Sequence, residues 1–191
     1  MKNIIITLTL TLLIALSPMI TGCSPNYDSM IADSTKAIEK NPDDAEAYRK
    51  RASAWEEKGD YDQAIADYSK AIELDQRDVN LYYLRGYLYS EKGDYDQAIA
   101  DCTKAIKIDR DDANAYYFRA RAWEKKGNID KAIKDCGKAL EVNRQVWLDA
   151  ILYKYRAGLW LKIGKDRRYR EDLAKAQELS DYVDDNQVRP D

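Results

Sequence analysis

The sequence predicts an all-α fold built from one repeated unit. Three observations carry that expectation. GDYDQAIAD stands at Gly59–Asp67 and again at Gly93–Asp101, and GNIDKAIKD stands at Gly127–Asp135, so a block returns every 34 residues. Around the blocks, small and aromatic residues recur at fixed offsets: Tyr48, Tyr82 and Tyr116; Ala52, Gly86 and Ala120; Trp55, Tyr89 and Trp123; Ala64, Ala98 and Ala132; Ala71, Ala105 and Ala139. Within each unit these fall three and four apart, the spacing of one buried helix face. Finally, 191 residues hold only 8 Gly and 4 Pro, few of the usual turn formers, and 1 Phe, which argues against a turn-rich β protein.

Composition also narrows the function. With 31 basic and 34 acidic residues the net charge is −3, which does not give a basic nucleic-acid footprint. The absence of His removes the commonest metal ligand and the usual general base. Three Cys without a CxxC do not make a zinc site. Asp109, Asp111 and Asp112 lack the Gly and Glu of an EF-hand loop and read as turn and cap. No GxGxxG, Walker A, HExxH or GxSxG motif occurs. The expectation is a binding protein that is not an enzyme, with no cofactor, no metal, no nucleic-acid partner and no small-molecule substrate.

The first element is a signal peptide at 1–22. Lys2 precedes an apolar run from Ile4 to Leu16, and small residues lead to Cys23, the secretory pattern. The run is short for a hydrocarbon core of about 30 Å. Ile20-Thr21-Gly22-Cys23 resembles the lipobox of bacterial lipoproteins. That resemblance implies a diacylglyceryl group (palmitate or a similar chain) on the Cys23 sulfur and cleavage before Cys23. An uncleaved membrane anchor with an incidental Cys is the alternative. Two or three acyl chains hold a protein to a bilayer stably where one does not. Residues 23–26 are then a short lipidated tether. In resembling Gram-negative proteins an Asp after the Cys favours the inner membrane. Ser24 stands here instead, which implies the outer membrane, facing the periplasm.

Residues 27–44 read as the second helix of an incomplete unit, with Ala37 and Pro42 in register, and are expected to cap the array. Full units follow at 45–78, 79–112 and 113–146. Asp44, Asp78 and Asp112 are placed to N-cap the first helix of each. Lys58-Gly59, Lys92-Gly93 and Lys126-Gly127 end it, with Gly in a left-handed cap and Lys against the negative end of the dipole. Asp62, Asp96 and Asp130 fall in the first turn of the second helix. A degenerate fourth unit spans 147–182. If Trp147, Leu148 and Asp149 are an insertion, Asp149 becomes the cap, and Tyr153, Ala157, Trp160, Gly164, Leu173 and Ala176 enter the frame. Tyr169 occupies a slot that is Ala elsewhere, so the helix pair is expected to splay. Residues 183–191 read as a polar, frayed tail.

The pattern over 45–146 resembles the tetratricopeptide repeat. The resemblance implies two antiparallel helices per unit, a right-handed α-solenoid of about four helix pairs, and a concave groove that holds peptides or helices. The family's proline near the end of each repeat is represented by Pro42 alone, with Gln76, Arg110 and Arg144 in its later places.

Four Arg–Asp couples share a spacing of 16: Arg51/Asp67, Arg85/Asp101, Arg119/Asp135 and Arg156/Asp172. They are expected to be intra-repeat ion pairs rather than a set of anion ligands, because a ligand site would not supply its own Asp each time. Cys102 and Cys136 share one slot on the buried stripe, with Tyr68 and Leu173 as equivalents. Stacked helices lie about 8–10 Å apart and bridged Cα atoms need less than about 7 Å, so free core thiols are expected over a disulfide.

The opposite face of the first helices carries Arg49; Asn80, Tyr83 and Tyr87; Asn114, Tyr117 and Arg121; and Lys154. By the resemblance this face lines the groove. Three Tyr off the core stripe, flanked by Asn, Arg and Lys, suit peptide capture. Truncating them is expected to cost little stability, and Arg49 and Arg121 are expected to favour acidic ligands. The Lys and Asn set by which some members of the family bind C-terminal carboxylates is not reproduced, since Ser53 stands where an Asn is needed. The overall expectation is a membrane-anchored scaffold that binds protein or peptide on the extracytoplasmic side. The alternative is a structural subunit of an envelope assembly that uses its convex face.

Overall fold

The computed structural model describes residues 26–186. Cys23 and the segment before it, and residues 187–191, lie outside the described residues. Within them the regular elements are nine helices: α1 Tyr27–Lys40, α2 Ala45–Glu57, α3 Tyr61–Leu74, α4 Val79–Glu91, α5 Tyr95–Ile108, α6 Ala113–Lys125, α7 Ile129–Val142, α8 Val146–Lys162 and α9 Asp166–Asn186. Consecutive helices pack as antiparallel pairs, and α4 also touches α6 across the pair boundary. The result is an α-solenoid.

Local chemistry sets the helix ends. Asp44, Asp78 and Asp112 accept from the backbone N–H of Ala47, Asn80 and Ala115. The second helices α3 and α7 are capped by Asp60 and Asn128 in the same way, while Asp94 ahead of α5 makes no such bond. Each first helix closes on a Gly with positive φ: Gly59 at 78°, Gly93 at 90°, Gly127 at 87° and Gly164 at 69°. The core is made of small residues. Ala52, Ala64, Ala71, Ala98, Ala105, Ala120, Ala132 and Ala139 are all fully buried, which lets backbones approach closely. Gly86 marks the tightest crossing. A Cβ there would stand 3.1 Å from both the Ala98 carbonyl oxygen and the Cys102 Sγ.

Several expectations change in the fourth unit. α8 starts at Val146 rather than Ala150, so Trp147, Leu148 and Asp149 add a helical turn instead of forming a looped insertion. The cause is apolar burial: Leu148 is 3% exposed and packs with Ala113, Ala139 and Leu152. Asp149 therefore does not cap the helix; its Oδ1 accepts from Asn143 Nδ2 at 2.8 Å. α9 continues to Asn186, so residues 183–186 are helical rather than a frayed tail. Leu173 is 40% exposed, whereas Cys102 and Cys136 in the equivalent slot are fully buried. No helix among the described residues follows α9 to cover it. Tyr169 is half-buried, and Arg156 meets Asp172 at the distances of the other units, so the splaying expected from that ring is not seen at this crossing.

One contact recurs in every unit. The Arg51 guanidinium gives Nε to Asp67 Oδ2 at 2.7 Å and Nη2 to Oδ1 at 2.8 Å. Arg85/Asp101, Arg119/Asp135 and Arg156/Asp172 repeat this two-point geometry at 2.7–2.8 Å. All four Asp are buried. The third nitrogen reaches backwards: Nη1 of Arg51, Arg85 and Arg119 donates to Thr35 Oγ1 at 3.1 Å, Ser69 Oγ at 2.8 Å and Thr103 Oγ1 at 3.2 Å. Each hydroxyl lies on the second helix of the preceding unit. One Arg thus closes its own helix pair and ties it to its neighbour. Removing one partner of such a buried pair commonly costs about 3–5 kcal/mol.

Arg156 lacks the backward link. Gly137 stands where Thr35, Ser69 and Thr103 supply hydroxyls, and a Cβ there would sit 3.8 Å from Arg156 Nη1, in ordinary contact. Gly137→Ser should restore the bond. Helix propensity alone favours Ala over Gly by about 1 kcal/mol and Ser over Gly by about half that. A hydrogen bond to a charged group adds about 1.5 kcal/mol. Thermal melts should therefore rank Ser above Ala above Gly at position 137. A ranking with Ala on top would mean that the introduced hydroxyl does not bond to Arg156.

Candidate functional site

The first helices α2, α4, α6 and α8 line one face of the solenoid, and their non-core side chains meet there. At its centre is a residue the sequence reading did not single out, Phe118. Its ring stacks on Tyr83 with centroids 5.3 Å apart and planes 10° from parallel. Tyr87 and Tyr117 lean on it at 5.7 and 5.5 Å. Tyr155 meets Tyr117 edge-on at 5.5 Å, which carries the seam into the fourth unit. Rings in such offset and edge contacts add about 0.5–1.5 kcal/mol beyond area burial. The slot after Tyr117 reads Lys50, Leu84, Phe118 and Tyr155 through the four units, a rise in apolar bulk that was available in the sequence.

The polar groups are arranged around this seam. The Tyr83 hydroxyl donates to Asn80 Oδ1 at 2.5 Å, which leaves the Asn80 Nδ2 group to donate elsewhere. Arg121 lies over the rings of Tyr87 at 5.3 Å and Tyr117 at 5.9 Å. Burial, then the nearby Asp112 and Asp78 carboxylates, push the Tyr83 hydroxyl up to about 12. Burial also raises Tyr87 and Tyr117, against the pull of Arg121. All three phenols are therefore neutral donors at physiological pH. At the C-terminal end of α6, Glu124 accepts from Tyr155 Oη and Lys162 Nζ.

The structure brings together Asn80, Tyr83, Tyr87, Tyr117 and Arg121, with Asn114 half-buried on the same helix as Tyr117. Against the burial that raises the Tyr83 hydroxyl, Arg49 lies near enough to draw it down slightly, while Glu46 takes the Arg49 Nε and Nη2 at 2.6 Å each. Lys154 lines a separate shallow concavity with Trp147, Ile151 and Val183. Two expectations need correction. Arg121 also pairs with Glu91 at 3.5 Å, so both groove arginines have their charge offset in place, and the preference for acidic ligands loses its basis. The three Tyr are not free of the fold, because Tyr83 and Tyr87 pack against the core formed by α2 to α6, and Tyr117 against that of α6 to α8. Their truncation carries a packing cost.

Cys102 and Cys136 are free and fully buried. Burial, more than any neighbouring charge, pushes both thiols up to about 12. Among the described residues no cluster of acids and Cys is placed to hold a metal, and no helix is long and apolar enough to cross a membrane.

This architecture has known counterparts. Tetratricopeptide repeat models match residues 79–112 and 113–146 and residues 35–66, and a TPR repeat model matches 56–93. Together they run unbroken from 35 to 146. The chain belongs to the tetratricopeptide repeat family. Among solved structures, this repeat protein is similar to MamA from Desulfovibrio magneticus RS-1, with TM-score 0.73 and 17% identity, over 84% of this chain and 89% of that one. A tetratricopeptide repeat protein from Parabacteroides merdae ATCC 43184 aligns with TM-score 0.68 and 25% identity, over 80% and 58%. The Cut9–Hcn1 hetero-tetramer of APC/C aligns with TM-score 0.69 and 19% identity, over 81% and 30%. These likenesses establish the solenoid fold. No curated protein matches the sequence.

Two outcomes follow from the packing. Phe118→Ala should destabilise the chain by about 2–3 kcal/mol, below the usual cost of a fully buried Phe because the residue is only half-buried. Phe118→Leu should recover most of that loss, and equal denaturation midpoints for Phe118→Ala and the parent chain would show that the seam does not hold α4 to α6. In thiol titration near pH 8, Cys102 and Cys136 should react only as fast as the fold opens, and both should react at once in denaturant without reductant.

Proposed function

We propose that this chain is a non-enzymatic scaffold, anchored by a lipid on Cys23 at the extracytoplasmic side of a bacterial membrane, that captures a segment of another protein on its concave face. In a Gram-negative cell the anchor would sit in the outer membrane, facing the periplasm. The observation that carries the binding role is the half-buried aromatic seam of Tyr83, Tyr87, Tyr117 and Phe118. Aromatic rings fixed by neighbours offer large contact area with little entropy left to lose, the property of interface anchors. The Asn80 amide is placed to meet a peptide carbonyl. With Arg49 and Arg121 already paired, the segment that suits this face is apolar or aromatic rather than acidic. The lipid anchor is supported by the Ile20–Cys23 motif alone.

The test separates the two halves of the reading. Metabolic acyl labelling should mark the parent chain and not Cys23→Ala; label that survives the substitution ends the anchor. A photo-crosslinking residue in place of Tyr117 should form a discrete protein adduct in cells, while the same residue in place of Lys104, exposed on α5, should not. Adducts from position 104 with none from 117 would move the function to the convex face.

A further inference from the structure

We propose that the basic turn between α8 and α9, together with the turn between α6 and α7, docks the solenoid edge-on against the anionic phospholipid surface in which its own anchor sits. This inference rests on the reading of Cys23 as the lipid site.

The geometry begins with a ladder of cross-unit contacts. Lys58, Lys92 and Lys126, each at the end of a first helix, reach Asp28, Asp62 and Asp96 at the start of the second helix one unit earlier. Lys162 also reaches one unit back, but to Glu124 in the last turn of the first helix α6. The four turns that follow the first helices therefore line one edge. Asn26, the N-cap of α1, is on that edge as well, since Asp28 meets Lys58 and the Tyr27 hydroxyl donates to Glu57 at 3.3 Å. Ser24, Pro25 and Asn26 separate Cys23 from Tyr27. Three extended residues span about 10 Å, so the edge starts close to the bilayer.

Charge along this edge is not uniform. Around Gly59, Glu57, Lys58, Asp60 and Asp62 sum to −2. Around Gly93, Glu91, Lys92, Asp94 and Asp96 also sum to −2. Around Gly127, Lys125, Lys126, Lys131 and Lys134 outweigh Glu124 and Asp130 by +2. Around Gly164, Lys162, Lys165, Arg167, Arg168 and Arg170 outweigh Asp166 and Glu171 by +3. The half nearest the tether is acidic and the far half is basic, in a chain whose total is −3. Lys165 and Arg170 are exposed, and the Arg167 side chain is 85% exposed while it meets Glu171 at 3.5 Å. Arg168 stacks over Trp160 at 5.0 Å. Leu161, in the last turn of α8, is 52% exposed.

These features fit one ligand chemistry. Basic residues near an anionic surface are each attracted appreciably, and the attraction dies within a Debye length of about 8–10 Å. The tether keeps the start of the edge within that reach, and tilting about it brings the far, basic half to the same depth. The lipid holds the acidic end, and headgroup phosphates draw the far end down, so that the array lies along the membrane with its opposite edge in water. A basic patch beside a lipid chain is a known second signal in peripheral anchoring, and two separated contacts leave the array less freedom to tilt than one.

The test uses the full lipidated chain in vesicles, with an environment-sensitive dye at Leu161→Cys or, on the opposite edge, at Gln76→Cys. In phosphatidylcholine vesicles with phosphatidylglycerol at low salt, headgroup-depth quenchers should quench the dye at 161 and spare the dye at 76. Replacing Lys165, Arg167 and Arg170 by Gln, with Arg168 left to its Trp160 stack, should shift the docked-to-lifted ratio about 100-fold and abolish that quenching. High salt should abolish it too, while flotation with the vesicles persists through the lipid. Equal quenching at 161 with and without phosphatidylglycerol, or none with it, overturns the proposal. Flotation lost in high salt with quenching at 161 intact at low salt would instead overturn the anchor and leave the basic edge standing. A circular dichroism spectrum of the triple variant that differs from the parent transfers the decision to the salt series on the parent chain.

Discussion

The partly buried guanidinium, paired with a buried carboxylate at the centre of each unit, is the constraint on which the rest of the fold depends. An Ala-lined helix crossing offers little shape to choose one register over another, because small side chains interlock weakly. The Arg side chain supplies what the core does not. Its planar fork fits one carboxylate in one orientation, so the two helices of a unit cannot slide without leaving a charge unpaired in a dry place. Its remaining nitrogen seeks a hydroxyl on the unit before, so the same group that sets the pair also sets the stacking. Tyr48, Tyr116 and Tyr153 lie against their guanidinium groups at 5.3–5.6 Å and close off one side from water.

The groove follows from that register. Because the pairs stack with α4 against α6, residues 34 and 35 apart on successive first helices become neighbours. Tyr83 and Phe118 are such a pair. The aromatic seam is therefore both a part of the structure and a candidate surface. Its rings are fixed by each other, which lowers the entropy lost on binding. The same contacts mean that a variant of one ring acts on stability and recognition together.

Helix ends and repeat boundaries were legible in the sequence because their causes are local: a carboxylate two or three residues ahead of an N–H, a Gly at positive φ, an Arg and an Asp at constant spacing. What the sequence left open depends on neighbours in space. The hydroxyls of Thr35, Ser69 and Thr103 look like ordinary helix-surface residues until the next unit is stacked upon them. Glu46 and Glu91 offset Arg49 and Arg121 through contacts that no charge count reveals. The start of α8 moved because Leu148 finds a core to enter, a tertiary gain that outweighs the capping preference of Asp149. Exposure of Leu173 reflects its place at the end of the described array rather than its residue type.

The spacing of the guanidinium contacts has a consequence for how such a chain can change length over evolutionary time. Each of the first three Arg reaches a hydroxyl 16 residues behind and a carboxylate 16 residues ahead, so all of its instructions fit within one 34-residue period. A tandem duplication of a whole period copies them intact, and copy number can drift without new design. Insertions that are not a multiple of the period do not share that freedom. The three extra residues at Trp147–Asp149 leave Arg156 with its own Asp172, but the residue behind it is now Gly137, 19 positions away and without a hydroxyl. The added helical turn leaves position 137 facing Arg156 Nη1, 3.8 Å from where a Cβ would stand, so at this junction a single substitution can supply the contact that a duplication would have copied.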